Sequence, residues 1–336
     1  MVPEVKRCLI TGVGGFLGSQ LAEYRLQQGQ RVAGTVHRDT LNSGIEGGLE
    51  LIACDILERR QVEDAIAKAR PQVIYHLAAQ SLPLLSWKDP EGTFRANVLG
   101  TLNVLEAVRE ANLNAKVVVA SSSAVYGVVA GDTPIREETP LRPVSPYGVS
   151  KAAADILAQI YWRTYGVNVI RVRPFLVVGP GKSGDVCSDF ARGIVAVERE
   201  EQRCLTAGNL EAVRDFLDVR DAVRALSLIA ERGEPGSVYN LCSGAGRRVQ
   251  DVLDALVSLA DCHIPVERDP SRLRPADEPV LVGDNSRLRA LGWAPGIPLE
   301  ETLASLLDYW RGTEALGLGS SPLSAPVRGA LRRRTA

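Results

Sequence analysis

The chain has 336 residues, 45% of them hydrophobic and 24% charged, which is the composition of an ordinary globular protein with a substantial core. Its formal net charge of −1 argues against a broad electrostatic footprint for nucleic acid. The sequence has no apolar run near the roughly 18 residues that span a bilayer, no apolar signal core at its N-terminus, and no C-x-x-C spacing among its six cysteines. We therefore expect a cytoplasmic protein without a metal site or a disulfide framework.

Short apolar runs alternate with amphipathic stretches through the first half of the chain. The strand-like runs are 7–11, 31–36, 49–54, 72–78, 116–121 and 168–173, and the helical stretches are 16–28, 58–69, 90–111 and 146–165. Continuous apolar strands that alternate with helices pair in parallel, with helices on both faces of the sheet. We predict a Rossmann-like, doubly wound α/β sheet, whose ligands lie beyond the carboxyl ends of its strands.

The alternation becomes less regular after Pro174, where Gly- and Pro-rich loops separate two further helical stretches. This change predicts a smaller, mixed α/β lobe that binds the substrate. The predicted parts are a dinucleotide-binding domain (1–175, with about 215–242 returning as a helix and strand), a substrate-binding lobe (176–214 and 243–311) and a mobile tail (312–336).

The first strand leads into a glycine-rich turn, TGVGGFLG. Gly12, Gly15 and Gly18 stand in the turn and at the start of the next helix, where glycine allows a tight turn and a close approach of backbone N–H groups to a pyrophosphate. Its position directly after the first strand predicts a dinucleotide site, to which Phe16 and Leu17 also contribute.

The end of the second strand indicates which nicotinamide cofactor is preferred. An acidic residue there accepts hydrogen bonds from the ribose, whereas a basic residue accommodates the extra phosphate of NADP. Here Arg38 follows the strand, with no carboxylate before Asp39. Arg38 favours NADP(H), with NAD(H) and a merely solvated arginine as the alternatives. Asp55 and Ile56, after the third strand, are placed to meet the adenine region.

Tyr147 and Lys151 stand four residues apart in SPYGVSKAAAD, a spacing that puts both side chains on one face of a helix. Ser145 can cap that helix, Pro146 suits its first position, and Gly166 suits its end. An ammonium beside a phenol favours the phenolate, so we expect a lowered pKa for Tyr147.

Two further segments hold polar side chains at strand ends. The fifth strand ends in ASSSAVYG, where a serine hydroxyl can meet a substrate oxygen held beside the tyrosine. His76 lies inside an apolar strand, and we interpret it as a hydrogen-bonded core residue rather than a catalyst.

Four motifs in order, TGVGGFLG, HLAAQS, ASSSAVYG and YGVSK, resemble those of the extended short-chain dehydrogenase/reductases that act on nucleotide sugars. The resemblance covers roughly residues 5–311. It implies that Tyr147 is the acid/base, that Lys151 tunes it and holds the nicotinamide ribose, and that Ser122 is the catalytic hydroxyl, with Ser121 and Ser123 as flanking alternatives.

The same resemblance implies further residues around the cofactor and the substrate. Asn97 matches a helix residue that supports the proton relay. Leu77, Ala78 and Ala79 would line the cofactor groove, and Ser81 and Ser123 would face the substrate.

The second half of the chain resembles the GDP-sugar branch of this family, which contains GDP-mannose 4,6-dehydratase and GDP-4-keto-6-deoxy-D-mannose reductase. The segments 208–221 and 272–285 carry that likeness, and HLAAQS, SWKDPEGTF and SDFAR look closer to the reductase. Arg192, Arg214 and Arg274 become candidates for the diphosphate and ribose of a sugar nucleotide. For each of them, a structural salt bridge is the alternative.

Two positions depart from the family pattern. The dehydratases carry a glutamate where this chain has Ala124, and a methyl group cannot exchange the proton that dehydration requires. The family commonly has an asparagine after Arg-Pro-Phe of the sixth strand, where it touches substrate phosphate, and this chain has Leu176.

Together these features predict the NADPH-dependent reduction of a nucleotide-linked 4-keto-6-deoxy sugar, first of all GDP-4-keto-6-deoxy-D-mannose. The alternatives are an epimerase with tightly held NAD and, disfavoured by Ala124, a GDP-mannose 4,6-dehydratase. A non-catalytic dinucleotide sensor would be expected to lose the tyrosine or the lysine, and this chain has both. Helices 90–111 and 146–165 have apolar faces beyond what one sheet needs, and the resemblance to a family in which the equivalent pair forms a four-helix dimer interface implies a homodimer.

Overall fold

The computed structural model describes residues 7–37, 48–129, 131, 133–272 and 278–315. The strands of the main sheet are β1 Arg7–Thr11, β2 Arg31–Val36, β3 Leu49–Ala53, β4 Val73–His76, β5 Lys116–Ala120, β6 Val169–Pro174 and β10 Val238–Leu241. Within the described residues these seven strands are all parallel, in the order β10-β6-β5-β4-β1-β2-β3. The predicted doubly wound sheet is confirmed, and β10 lies at its edge beside β6.

The helices cover both faces of this sheet and also pack in the smaller lobe. They are α1 Phe16–Gln27, α2 Arg59–Ala69, α3 Pro83–Lys88, α4 Pro90–Phe94, α5 Gly100–Glu110, α6 Pro146–Tyr165, α7 Val186–Glu198, α8 Val219–Arg232, α9 Val249–Val257, α10 Ser286–Ala290 and α11 Leu299–Ala315. Successive strand residues point to opposite faces. In β1, Cys8 and Ile10 pack with α1 and α8, whereas Leu9 packs with α2, α5 and α6. This alternation produces two cores, one on each side of the sheet.

The predicted helix 90–111 is interrupted. It consists of α4, a π-helical turn at Arg95–Leu99, and α5. A π-helical turn inserts one extra residue into the helical repeat, and such turns are frequent at functional sites. Here the turn contains Asn97, whose side chain is buried.

The second lobe is built from short strands around its own core. Its strands are β7 Leu176–Val178, β8 Leu205–Ala207, β9 Val213–Asp218, β11 Gly246–Arg248, β12 Val266–Arg268 and β13 Val280–Leu281. In the described part of the chain, β11, β9 and β13 are neighbours, β7 pairs with β9, and β8 pairs with β12. Residues of α7, α9 and α11 close over them in one apolar cluster.

The predicted C-terminal tail begins inside a helix that the sequence analysis did not predict. The tail was expected to begin at residue 312, but α11 continues to Ala315. The rest of that predicted tail, 316–336, lies outside the described residues. No helix in the described ranges combines the length and the apolar character needed to cross a membrane.

Candidate active site

The glycine-rich turn after β1 allows a ligand to approach the backbone N–H groups of the protein. Gly12 has a φ of +70°, and a Cβ there would lie 2.7 Å from the Cα of Ala78. The N–H of Gly15 donates to the Gly12 carbonyl at 3.0 Å, and α1 then begins at Phe16 without a side-chain cap. The first N–H groups of a helix have no partner within it. This bare, positively polarised helix end fits the pyrophosphate of a dinucleotide.

The segment after β4 forms the wall beside this turn. The N–H of Ala78 donates to the Thr11 hydroxyl at 3.2 Å. Leu77, Ala78 and Ala79 are each partly buried, as the predicted lining of a groove would be. Ser81, the next predicted ligand contact, is exposed in the loop before α3.

Asn97 connects this wall to α6. Its Oδ1 accepts from the N–H of Gln80 at 2.8 Å, and its Nδ2 donates to the Gln80 carbonyl and to the Ser150 hydroxyl. Ser150 in turn donates to the carbonyl of Tyr147 at 2.7 Å. The amide of Asn97 therefore holds the loop after β4 against the helix that carries Tyr147 and Lys151.

His76 has both ring nitrogens hydrogen-bonded inside the protein. The Thr101 hydroxyl donates its proton to the Asn97 carbonyl, so the Thr101 oxygen accepts from Nε2 of His76. The other ring nitrogen, Nδ1, then accepts from the Thr11 hydroxyl. Burial, together with the nearby charge of Lys151, lowers the pKa of His76 to about 3. The prediction of a hydrogen-bonded core histidine is confirmed.

Two of the residues predicted at the adenine end of the cofactor groove, Asp55 and Ile56, lie within the described residues. Asp55 Oδ1 accepts from the N–H of Leu57 at 2.9 Å, and the Ile56 carbonyl accepts from Asn103 at 2.8 Å. These bonds hold both predicted residues just past the carboxyl end of β3. Arg38, on which the preference for NADP rests, lies outside the described residues.

The helix α6 begins and ends where the sequence predicts. The Ser145 hydroxyl accepts from the N–H of Gly148 at 3.1 Å, Pro146 opens the helix, and Gly166 ends it with a φ of +67°. Tyr147 is anchored through its own N–H, which donates to the Ser86 hydroxyl of α3 at 3.1 Å.

Of the three adjacent serines, Ser122 contacts the phenol of Tyr147. Its hydroxyl oxygen accepts from the N–H of Ala124 at 3.2 Å, which leaves its proton to donate, and it hydrogen-bonds Tyr147. Ser121 instead donates to the Lys151 carbonyl at 3.4 Å, and Ser123 is buried in the following 3₁₀ turn. The geometry pairs Ser122 with Tyr147, as the family resemblance implies.

The expectation of a lowered pKa for Tyr147 is wrong. Burial raises the pKa of Tyr147 and outweighs the hydrogen bond from Ser122. Burial also lowers the pKa of Lys151 to about 8, and its Nζ donates to the Ala120 carbonyl at 2.9 Å. Desolvation disfavours both charged forms, so at neutral pH the tyrosine is a phenol that can donate a proton.

The arginines predicted to bind substrate have partners inside the second lobe. The guanidinium of Arg192 lies 5.2 Å from the ring centre of Trp310. Arg214 donates to the Val213 carbonyl and lies 3.9 Å from Glu278. Packing and salt bridging thus account for the contacts described for both. Arg274 lies outside the described residues.

A buried ionic cluster behind the serines was not predicted. Asp155 of α6 pairs with Arg171 at 3.0 Å and with Arg173 at 2.8 Å, and all three side chains are less than a tenth exposed. Arg173 also donates to the hydroxyl of Tyr126 at 3.0 Å. The sequence contained a signal for this cluster. Arg171 and Arg173 are two residues apart on a strand and therefore share a face, and Asp155 follows Lys151 by one helical turn.

The chain is similar to known proteins over most of its length. The family model for GDP-mannose 4,6 dehydratase matches residues 9–306. GDP-6-deoxy-D-mannose reductase from Pseudomonas aeruginosa is 32% identical over 309 residues, covering 91% of this chain and 97% of that protein. Two solved structures, each matched over 91% of this chain and 99% of its own, are UDP-glucose 4-epimerase of Thermus thermophilus with NAD (TM-score 0.82, 31% identity) and RMD from Pseudomonas aeruginosa with NADPH (TM-score 0.78, 31% identity).

Proposed function

The chain belongs to the GDP-mannose 4,6-dehydratase family of NAD(P)-dependent extended short-chain dehydrogenase/reductases, and we propose that it reduces GDP-4-keto-6-deoxy-D-mannose with NADPH. The observation that carries this proposal is Ala124, which stands beside the paired hydroxyls of Ser122 and Tyr147. The site has a proton donor for a ketone but no acid/base at position 124 for a dehydration. The similarity to GDP-6-deoxy-D-mannose reductase supports the same choice.

The bound cofactor supplies the hydride in this reaction. Tyr147 donates its phenolic proton to the oxygen of the sugar ketone, and Ser122 donates a hydrogen bond to the same oxygen. The ammonium of Lys151, one helical turn away, stabilises the phenolate that remains. Asn97 supports this set by holding α6, and solvent restores the proton to the tyrosine.

In this proposal the sugar nucleotide lies between the sheet edge and the second lobe. Residues 176–214 and 243–311 of the second lobe would hold the nucleotide, with Arg192, Arg214 and Arg274 as the candidate cations. Ser81 and Ser123 would lie near the sugar. Arg38 would favour NADPH over NADH. The NADPH bound to RMD and the NAD bound to the epimerase support both cofactors for this fold.

The direct test is incubation of the pure protein with GDP-4-keto-6-deoxy-D-mannose and NADPH. We expect one NADPH to be oxidised for each sugar reduced, followed by nicotinamide absorbance and by chromatography of the sugar nucleotide. An absence of NADPH oxidation with this and with several other GDP- and UDP-linked keto sugars would reject the proposal.

A nucleotide-sugar epimerase is the second candidate, favoured by the TM-score of 0.82 to UDP-glucose 4-epimerase. An epimerase uses the same serine, tyrosine and lysine, but it returns the hydride to its substrate. NAD retained through purification, with a sugar nucleotide converted and no net consumption of NADPH, would favour this candidate.

We expect reduction to slow above about pH 8. The lowered pKa of Lys151 means that its ammonium is present below about pH 8 and is lost above it. Tyr147 does not titrate in this range, because its pKa is raised. The value of kcat/KM for NADPH, measured between about pH 7 and about pH 9.5, should fall along a one-proton limb with an apparent pKa of about 8. A flat profile would contradict the role given to Lys151.

We also propose that the protein is a homodimer formed through α5 and α6. Val149, Ile156 and Ile160 of α6 and Leu99 before α5 are each 42–47% exposed. Such exposed apolar residues on neighbouring helices are typical of an interface. Light scattering should give the mass of a dimer, and Ile156→Glu should shift it towards a monomer. A monomeric mass for the wild-type protein at micromolar concentration would contradict this proposal.

A further inference from the structure

Lys182 lies at the carboxyl edge of the main sheet, in the loop from β7 to α7. Its ammonium donates a hydrogen bond to the Val177 carbonyl and lies 5.7 Å from the ring centre of Phe16. Phe16 is the first residue of α1, directly after the glycine-rich turn. A cation is therefore held beside the helix end that suits a pyrophosphate.

The backbone around Lys182 is fixed by hydrogen bonds. Its N–H donates to the Gly179 carbonyl at 3.3 Å, and its carbonyl accepts from the Ser188 hydroxyl at 2.9 Å. Asp185 caps α7 by accepting from the N–H groups of Cys187 and Ser188. The loop thus presents the lysine from a defined position, while the long side chain can still reorient.

The charge of Lys182 has no carboxylate partner among the described residues. Asp185, three residues further along the loop, accepts through its Oδ1 from the N–H groups of Cys187 and Ser188 at the start of α7. An ammonium carries three N–H donors, and the Val177 carbonyl takes one of them. The remaining donors and the full charge are available to an anionic ligand.

The strand β7, which precedes this loop, begins with an apolar side chain and provides no polar side chain for a ligand. Leu176 is apolar and packs against the core of the second lobe. A phosphate that lies between β7 and the glycine-rich turn would therefore meet the ammonium of Lys182. Bonds from a cation to phosphate are stronger than bonds to a neutral carbonyl.

We propose that Lys182 is a diphosphate-binding residue, whose ammonium exchanges the Val177 carbonyl for phosphate oxygens of a nucleotide in the cleft. The inference rests on the proposed function only in taking NADPH and a sugar nucleotide as the ligands, each of which carries a diphosphate. The exchange breaks one hydrogen bond and moves no covalent bond or proton. The experiment distinguishes the two possible sources of the diphosphate, NADPH and the sugar nucleotide.

The test compares Lys182→Met, which removes the charge, with Lys182→Arg, which keeps it. Lys68→Met, which removes an exposed lysine of α2, is the matched control. Each protein is titrated by calorimetry at low salt with NADPH, GDP, UDP and guanosine. We expect Lys182→Met to bind at least one diphosphate ligand about tenfold more weakly, and Lys182→Arg to stay within about threefold of wild type.

The ligand that loses affinity identifies the source. A loss confined to NADPH assigns Lys182 to the cofactor, and a loss confined to GDP or UDP assigns it to the sugar nucleotide. Affinities of Lys182→Met that match those of Lys68→Met overturn the inference, as does an equal loss for guanosine, which has no phosphate. A wild-type protein that binds none of the diphosphates also overturns it. None of these titrations needs turnover, so a failure of the proposed reduction is recognised separately.

Discussion

Tyr147→Phe should reduce kcat for the proposed keto-sugar substrate by about 10²–10⁴-fold, because the site loses the group that we propose as the proton donor to the ketone oxygen. The substitution removes only the phenolic hydroxyl. The contacts that position the residue are retained, since its N–H still donates to Ser86 and its carbonyl still accepts from Ser150. The dissociation constant for NADPH, measured by fluorescence titration, should stay within about threefold of wild type.

Tyr75→Phe is the matched control for this experiment. Tyr75 is fully buried in β4, and its hydroxyl has no hydrogen-bond partner within the described structure. Its removal should leave kcat unchanged. If Tyr147→Phe retained the activity of Tyr75→Phe, the proton would have to come from another group or from water, and the proposed role of Tyr147 would be wrong.

Local signals predicted the parts of this fold that are held by contacts between sequence neighbours. The cap and the end of α6 depend on Ser145 and Gly166, each within a few residues of the bonds it makes or permits. The glycine-rich turn follows β1 directly, and its function depends on backbone conformation. The seven strands of the main sheet could be predicted from the sequence because each is a short, mostly apolar run.

The second lobe could be predicted less well, because its strands are short and pair with distant segments. The strand β13 has two residues and pairs with β9, more than sixty positions earlier in the chain. Strands of this length carry no periodic pattern. The π-helical turn at Arg95–Leu99 was missed for a related reason, since its register is fixed by the tertiary bonds of Asn97 rather than by helix propensity.

The direction of the pKa of Tyr147 could not be obtained from spacing alone. A lysine one turn away favours the phenolate only if its charge acts on the phenol more strongly than burial does. In the structure, burial is the larger effect, and the ammonium of Lys151 is bonded to the Ala120 carbonyl. Burial is set by the whole fold, so the spacing identifies the pair but not its protonation.

Asp155→Ala should lower the free energy of unfolding by about 3–5 kcal/mol, because it leaves two buried guanidinium groups without their carboxylate. Asp155 accepts hydrogen bonds from Arg171 and Arg173, including two from Arg173. Burial alone raises the pKa of Asp155, but the hydrogen bond from Arg173 and the charges of both arginines outweigh it and hold the pKa below its ordinary value. Urea denaturation at neutral pH measures the loss as a shift of the midpoint.

The pH dependence of this effect has a definite sign. The stability that the ionised carboxylate contributes is fully present above the ordinary pKa of an aspartate and is lost as the pH falls through the lowered pKa of Asp155. The difference between wild type and Asp155→Ala should therefore persist through neutral and mildly acidic pH and shrink only in strong acid. Asp251→Ala is the control, because Asp251 forms an exposed ion pair with Arg248 and its loss should change stability little.

The same substitution should also affect the site, since Asp155 lies one helical turn after Lys151 on the same face of α6. Where Asp155→Ala remains folded, we expect a lower kcat with an unchanged dissociation constant for NADPH, because the cluster joins β6 to the helix that carries Tyr147 and Lys151. Asp155→Asn keeps part of the hydrogen bonding without the charge, and it should fall between wild type and Asp155→Ala in both measurements. Equal stability of Asp155→Ala and Asp251→Ala would show that the buried cluster does not anchor the helix that carries Tyr147.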